Sequence, residues 1–180
     1  PAWELSANWL APLDGRPAVL AERFAAAGYR TGGFVDNLEY TSRETGLARG
    51  FATYEDYPLT LPHLARSVAL LRRGLDIPVI RRALFGADLP GRRRAAEIFA
   101  GVQRWLDRNP DRPYFAFLNL YDAHDPYVPP APLAAEFLAP GQAAVAQLEA
   151  RPDPAQAWDS TEVAAARATY EAAIAGLDAE

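Results

Sequence analysis

The sequence predicts an α/β fold, a mostly parallel sheet flanked by helices, with helix the larger share. Three observations predict it. A helical pattern over residues 17–27 runs directly into a strand pattern over 31–35. A second helical pattern, 89–109, runs into a second strand, 113–120. That second strand, Pro-Tyr-Phe-Ala-Phe-Leu-Asn-Leu, is a continuous apolar run rich in aromatics. Such runs are the mark of strands covered on both faces, as in parallel sheets. Helix and strand in alternation define the class.

Each element has its own justification. Pro17 suits a first helical turn, and Leu20, Phe24 and Ala27 share a face. Gly28 is placed as a left-handed cap. Gly32 and Gly33 inside the first strand mark the close approach of a backbone or a ligand. Residues 36–57 show no clean period and carry Gly46 and Gly50. They read as a long surface loop with a short helical turn, and loops of that length are often functional. Thr60 can cap a helix over 62–73, which Gly74 ends, and a short helix can follow Pro78. The helix over 89–109 is the clearest. Ala95, Ile98, Phe99, Val102, Trp105 and Leu106 recur at spacings of three and four, and Pro110 follows. Residues 126–159 are rich in proline and alanine and read as short helices with irregular connections. Asp159 and Glu162 form a capping box. The last helix that they open has Val163, Ala166, Tyr170, Ile174 and Leu177 as its apolar face. No internal repeat and no domain linker is visible.

Composition limits the function classes. A chain of 180 residues can bury a real core. The net charge of -5 gives nucleic-acid binding no global electrostatic support. All 18 basic residues are arginine, which reads as codon bias rather than as an anion site. With no cysteine there is neither a disulfide framework nor thiolate chemistry. No apolar run approaches the ~20 residues of a membrane helix, so no membrane contact is expected of these residues. The chain opens on Pro1, contains no methionine, and stops within a helical pattern at Glu180. It reads as an internal segment of one domain, residues 1–180, cut at both ends.

The sharpest candidate chemistry is Asp122-Ala123-His124-Asp125-Pro126, just beyond the apolar strand. Ligands bind at the carboxyl ends of strands in open α/β sheets. Histidine there can hold a proton near neutral pH, donate to an anionic oxygen, or bind a metal. Asp122 or Asp125 could orient its ring. The alternative is a surface loop with an incidental histidine. Asn37 follows the first strand and could face the same edge, as a donor to an anion or as an Asx turn. His63 falls on a predicted helix and reads as structural. Arg92, Arg93 and Arg94 crowd a helix start, against its dipole, which leaves room for an offsetting group, and they read as a solvated face rather than an anion site. Trp3, Trp9, Trp105 and Trp158 read as packing residues. There is no Gly-rich phosphate loop, zinc spacing or serine elbow. No carboxylate cluster suffices for calcium or magnesium.

Three stretches then resemble the sulfatase family of the alkaline phosphatase superfamily. Leu20-Ala21-Glu22 followed by Gly28-Tyr29-Arg30-Thr31 is similar to that family's step from helix into core strand. Phe115 to Pro130 is similar to its Phe-x-Phe…His-x-Pro-Tyr-x-Pro-Pro segment. Tyr170, Ile174, Leu177 and Asp178 match its Tyr-x-x-x-Ile-x-x-Leu-Asp helix. Residues 50–57 add a weaker match, and 131–159 add little. The resemblance implies part of an alkaline-phosphatase-like sandwich and hydrolysis of a sulfate ester, on a small molecule or a glycan. It implies a formylglycine nucleophile and a calcium ion, both supplied from outside this segment, with no metal ligand within it. His124 matches the family's substrate-donating histidine. The family's Cys/Ser-x-Pro-x-Arg motif, its Asp-Asp metal pair and its later Asp-His-Gly segment have no match. Where many members carry Lys-x-His, this chain has Val35-Asp36-Asn37-Leu38, and Asn37 could substitute as a neutral substrate donor. The segment alone is expected to be inactive. Hydrolysis of phosphoryl or phosphonate esters, and a non-catalytic module on the same scaffold, are the alternatives.

Overall fold

The computed structural model describes residues 12–15, 17–56, 92–142, 144 and 157–180. The helices expected over 62–73 and after Pro78, with His63, Trp3 and Trp9, lie outside them. The chain divides into two compact units, one from Pro1–Leu59 and Ala96–Leu120, the other from Thr60–Ala95 and Tyr121–Glu180.

The first unit holds a parallel sheet. Its strands are β1 (Arg30–Val35), β2 (Thr53–Glu55) and β3 (Tyr114–Asn119), in the order β2-β1-β3. β1 pairs with β3 from Arg30 opposite Tyr114 to Val35 opposite Asn119. It pairs with β2 from Gly32 opposite Thr53 to Phe34 opposite Glu55. β2 lies in the stretch expected to be loop. That stretch also holds a short helix, α2 (Leu38–Thr41), and a 3-10 turn, Arg43–Thr45. A three-residue strand is too short to show a period, which is why it was not legible.

The strand buried along its whole length is β1, not β3. Its glycines explain the difference. A Cβ on Gly32 would lie 2.8 Å from the Phe34 ring and 2.9 Å from Trp105, and one on Gly33 would strike Tyr54. The rings of Phe34 in the same strand, Trp105 and Tyr54 therefore lie directly on the bare backbone. β3 alternates as a strand should. Ala116 and Leu118 face the core of Phe34, Ile98 and Trp105. Phe115 and Phe117 meet Phe51 on the other face at 5.8 and 6.3 Å, and Phe24 stacks on Phe115 at 4.5 Å. Each fully buried side chain of the Phe34 and Ile98 kind contributes about 1.5–3 kcal/mol.

Helix α1 is Leu20–Ala26, so Pro17 precedes it. It starts where Glu22 accepts the Val19 N–H at 3.0 Å. Leu20, expected inward, is exposed, while Ala21 is buried. Gly28, at φ +84°, closes the helix as expected. Helix α3 (Ala95–Asp107) carries Ile98, Val102, Trp105 and Leu106 into the core, but Phe99 stands half out. Arg30 secures its far end. The guanidinium lies 4.3 Å over Trp105 and donates to the carbonyls of Trp105, Leu106 and Asn109. A cation on the free carbonyls of a helix C-terminus meets both their hydrogen bonding and the dipole.

The second unit contains α4 (Ala131–Phe137) and α5 (Ser160–Asp178), packed on each other. The Asp159–Glu162 capping box is present in both directions, at 2.8 and 3.0 Å. The face that α5 buries is Ala165, Thr169, Ala172 and Ala173, whereas Val163, Tyr170 and Ile174 are exposed. Small side chains allow close approach. A Cβ on Gly176 would already lie 2.8 Å from Pro130. No helix among the described residues is long and apolar enough to cross a membrane.

Candidate active-site loop

His124 lies in the second unit, on the loop that follows β3, and its side chain is exposed. Its imidazole stacks on the Tyr121 ring, centroids 4.2 Å apart and planes 18° apart. Nδ1 lies 2.7 Å from the Asp125 carbonyl oxygen, and Nε2 lies 3.4 Å from the Tyr121 hydroxyl. The His124 N–H donates to the Tyr121 carbonyl at 3.1 Å and closes the turn.

Asp122 does not orient the ring. Its carboxylate accepts the Ala95 N–H at 2.9 Å, at the first turn of α3. It also lies 3.9 Å from Arg94. A carboxylate on a helix's first free N–H groups is well placed for both hydrogen bonding and dipole. This offsets the arginine run that the sequence places there. The arginines themselves hold the loop. Arg92 donates to the carbonyls of His124 and Pro126, both at 2.8 Å, and Arg94 donates to that of Val128 at 3.2 Å. The run is thus not the solvated face that its sequence suggests. The like charges crowded at a helix start were the available signal.

Beyond His124, the Tyr127 ring packs on Tyr170, centroids 5.2 Å apart. Its phenol is held above the ordinary value, first by burial, then by the Asp125 carboxylate and by Tyr170.

Asn37 lies in the first unit, at the carboxyl end of β1, and the turn reading holds for it. It caps α2, with Oδ1 accepting the Tyr40 N–H at 3.3 Å. Its own N–H donates to Asn119 Oδ1 at 3.1 Å. Asn119, which sequence reading passed over, also accepts the Asp36 N–H at its carbonyl, 3.2 Å away. This asparagine at the end of an apolar strand ties the carboxyl ends of β1 and β3 together. Asp36 beside it is buried. A cavity of about 300 Å³ among the described residues of this unit is elsewhere: Arg30 and Thr53, the first residues of β1 and β2, line it with Arg108 and Arg112. That is the amino edge of the sheet, opposite the end where α/β folds bind ligands.

Among the described residues no group of three or more His, Asp or Glu side chains could hold a metal ion. The calcium implied by the resemblance has no ligand set among them.

The chain is similar to the crystal structure of the phosphonate monoester hydrolase of Agrobacterium radiobacter, with a TM-score of 0.60 and 22% identity. The likeness covers 93% of this chain. The fold is alkaline-phosphatase-like. The chain spans 43% of the length of that structure. No family model and no curated protein matches it.

Proposed function

We propose that the chain is an internal segment of one catalytic domain, from a hydrolase of the alkaline phosphatase superfamily whose substrate is a sulfate ester. The observation that carries the reading is an exposed, ring-stacked His124 on the loop after a parallel strand, at the histidine of the sulfatase-like motif. As the ester bond breaks, negative charge gathers on the departing oxygen. A protonated imidazole aimed at that oxygen stabilises or protonates it. The formylglycine nucleophile and a divalent metal, calcium, come from residues outside this segment, and the segment alone does not turn over. The substrate is a small-molecule or glycan sulfate.

A second reading, hydrolysis of phosphonate or phosphoryl esters, is favoured by the likeness to the phosphonate monoester hydrolase. A tetrahedral oxyanion of either kind suits the same donor. The nucleophile separates them. A formylglycine found by mass spectrometry of the full-length protein selects sulfate, and an unmodified threonine selects phosphoryl chemistry. A full-length protein with no nucleophile and no metal ligands selects a non-catalytic module instead. In the active full-length protein, His124→Ala lowers turnover of an aryl sulfate by ~10²-fold or more, as loss of a transition-state donor does. Unchanged turnover removes His124 from the mechanism.

A further inference from the structure

Two residues that the reading above leaves out enclose His124. The Asp125 carbonyl oxygen 2.7 Å from Nδ1 can only accept, so Nδ1 carries the hydrogen of the neutral ring. Nε2 is then a lone pair, and the hydroxyl within its reach is that of Tyr121, 3.4 Å away. Free imidazole favours the opposite tautomer, with hydrogen on Nε2. The surroundings must therefore hold the Asp125 carbonyl and the ring in place. Arg92 does the first. Its two terminal nitrogens donate to the carbonyls of His124 and Pro126, both at 2.8 Å, one on each side of the Asp125 carbonyl. The planar guanidinium can bridge two fixed acceptors, which an ammonium cannot do with the same rigidity. Tyr121 does the second, lying flat on the imidazole at 4.2 Å. The Arg92 guanidinium is in turn 5.0 Å from the Tyr121 ring centroid. Guanidinium and imidazole thus both lie against the Tyr121 ring, on a clamped backbone.

We propose that Arg92 and Tyr121 are positioning residues for His124, which hold its neutral ring as the Nδ1–H tautomer and make Nε2 the nitrogen that exchanges a proton with substrate. The inference rests on the reading of His124 as the substrate donor. Its chemical consequence is specific. A ring with Nδ1–H fixed on a carbonyl donates from Nε2 only as the imidazolium. The Nε2 proton passes to the departing ester oxygen, and the ring is left as the neutral Nδ1–H form that the loop already favours.

The test combines spectroscopy with kinetics on the full-length protein. Imidazole ¹⁵N shifts, assigned with His124→Gln, report the tautomer without any assay of activity. The expected neutral form is Nδ1–H in the unaltered protein, with Arg92→Ala and Tyr121→Leu moving it toward Nε2–H. In turnover, Arg92→Lys lowers kcat about 10- to 100-fold, the cost of a misplaced group. KM stays within about 2-fold, since ground-state binding is untouched. Tyr121→Phe, which keeps the stacked ring, retains most of kcat, and Tyr121→Leu does not. An Nε2–H tautomer in the unaltered protein overturns the proposal even where His124→Ala is inactive. Arg92→Lys with normal kcat overturns it as well. An Nδ1–H tautomer beside a fully active His124→Ala overturns instead the reading of His124 as donor. The tautomer is read in the unaltered protein, so a variant that fails to fold does not block the decision.

Discussion

Tyr54 shows how one side chain's surroundings set its proton. Its hydroxyl donates to the Thr41 carbonyl at 2.6 Å. Burial, then the Asp56 carboxylate, push its pKa from 10.0 up to about 12, and Arg43 opposes them. The Asp56 carboxylate is itself buried, accepting the Arg43 N–H at 2.7 Å and facing the Arg43 guanidinium at 3.3 Å. The sign of the linkage follows. Between pH 10.0 and about 12 the unfolded phenol has lost a proton that the folded one keeps. The folded state then binds more protons, and stability falls as pH rises. The contribution is complete below that window and gone above it. Melting temperatures measured across the window should fall less steeply for Tyr54→Phe than for the unaltered protein. Equal slopes would mean that the phenol ionises alike in both states.

Among the elements, the legible parts were those whose signal is local. The Asp159–Glu162 box, the Gly28 cap and the Ile98–Val102–Trp105 face of α3 each depend on spacing within one helix. The misread parts depend on partners distant in sequence. β2 exists because β1 offers it a parallel edge, and α5 buries alanines because Pro130 and Leu133 come close to it. The loop position of His124 in the second unit and the Asn37 cap in the first were readable, but Arg92 and Asp122 act on residues 27 or more positions away. Gly50 makes the same point in energetic terms. Its φ is +83°, and an added Cβ would lie 2.8 Å from the Ala21 carbonyl carbon in α1. Gly28 has a similar φ of +84° with nothing within 4 Å. Gly28→Ala therefore isolates the left-handed backbone cost, about 1–2 kcal/mol. Gly50→Ala adds the collision, typically a further 1–3 kcal/mol. Urea unfolding of the two variants should separate them by that margin. If they are equally stable, α1 yields to the Gly50 turn at no cost.

For the whole molecule, the two substrate classes proposed above are both tetrahedral esters, and the role proposed for His124 predicts how each would respond. Sulfate and phosphonate monoesters differ at the central atom and in charge, but each expels an oxygen that needs a proton or a hydrogen bond. A donor aimed at that oxygen serves either, whereas a donor aimed at the central group's oxygens discriminates between them. The loop geometry, with Nε2 as the exchanging atom, fits proton delivery to the departing oxygen. The proposed sulfate ester, and not the donor geometry, predicts a larger kcat/KM in the full-length protein for a nitrophenyl sulfate than for a nitrophenyl phosphonate monoester. His124→Ala should depress both by a similar factor, ~10²-fold or more. The penalty should shrink as the phenol leaving group is made more acidic, because a better leaving group depends less on the donor. A reversed substrate ratio with equal penalties selects the phosphonate reading and keeps the role of His124. A penalty on one substrate alone, or one that ignores leaving-group acidity, places the imidazole against the central oxyanion, and proton delivery from Nε2 fails.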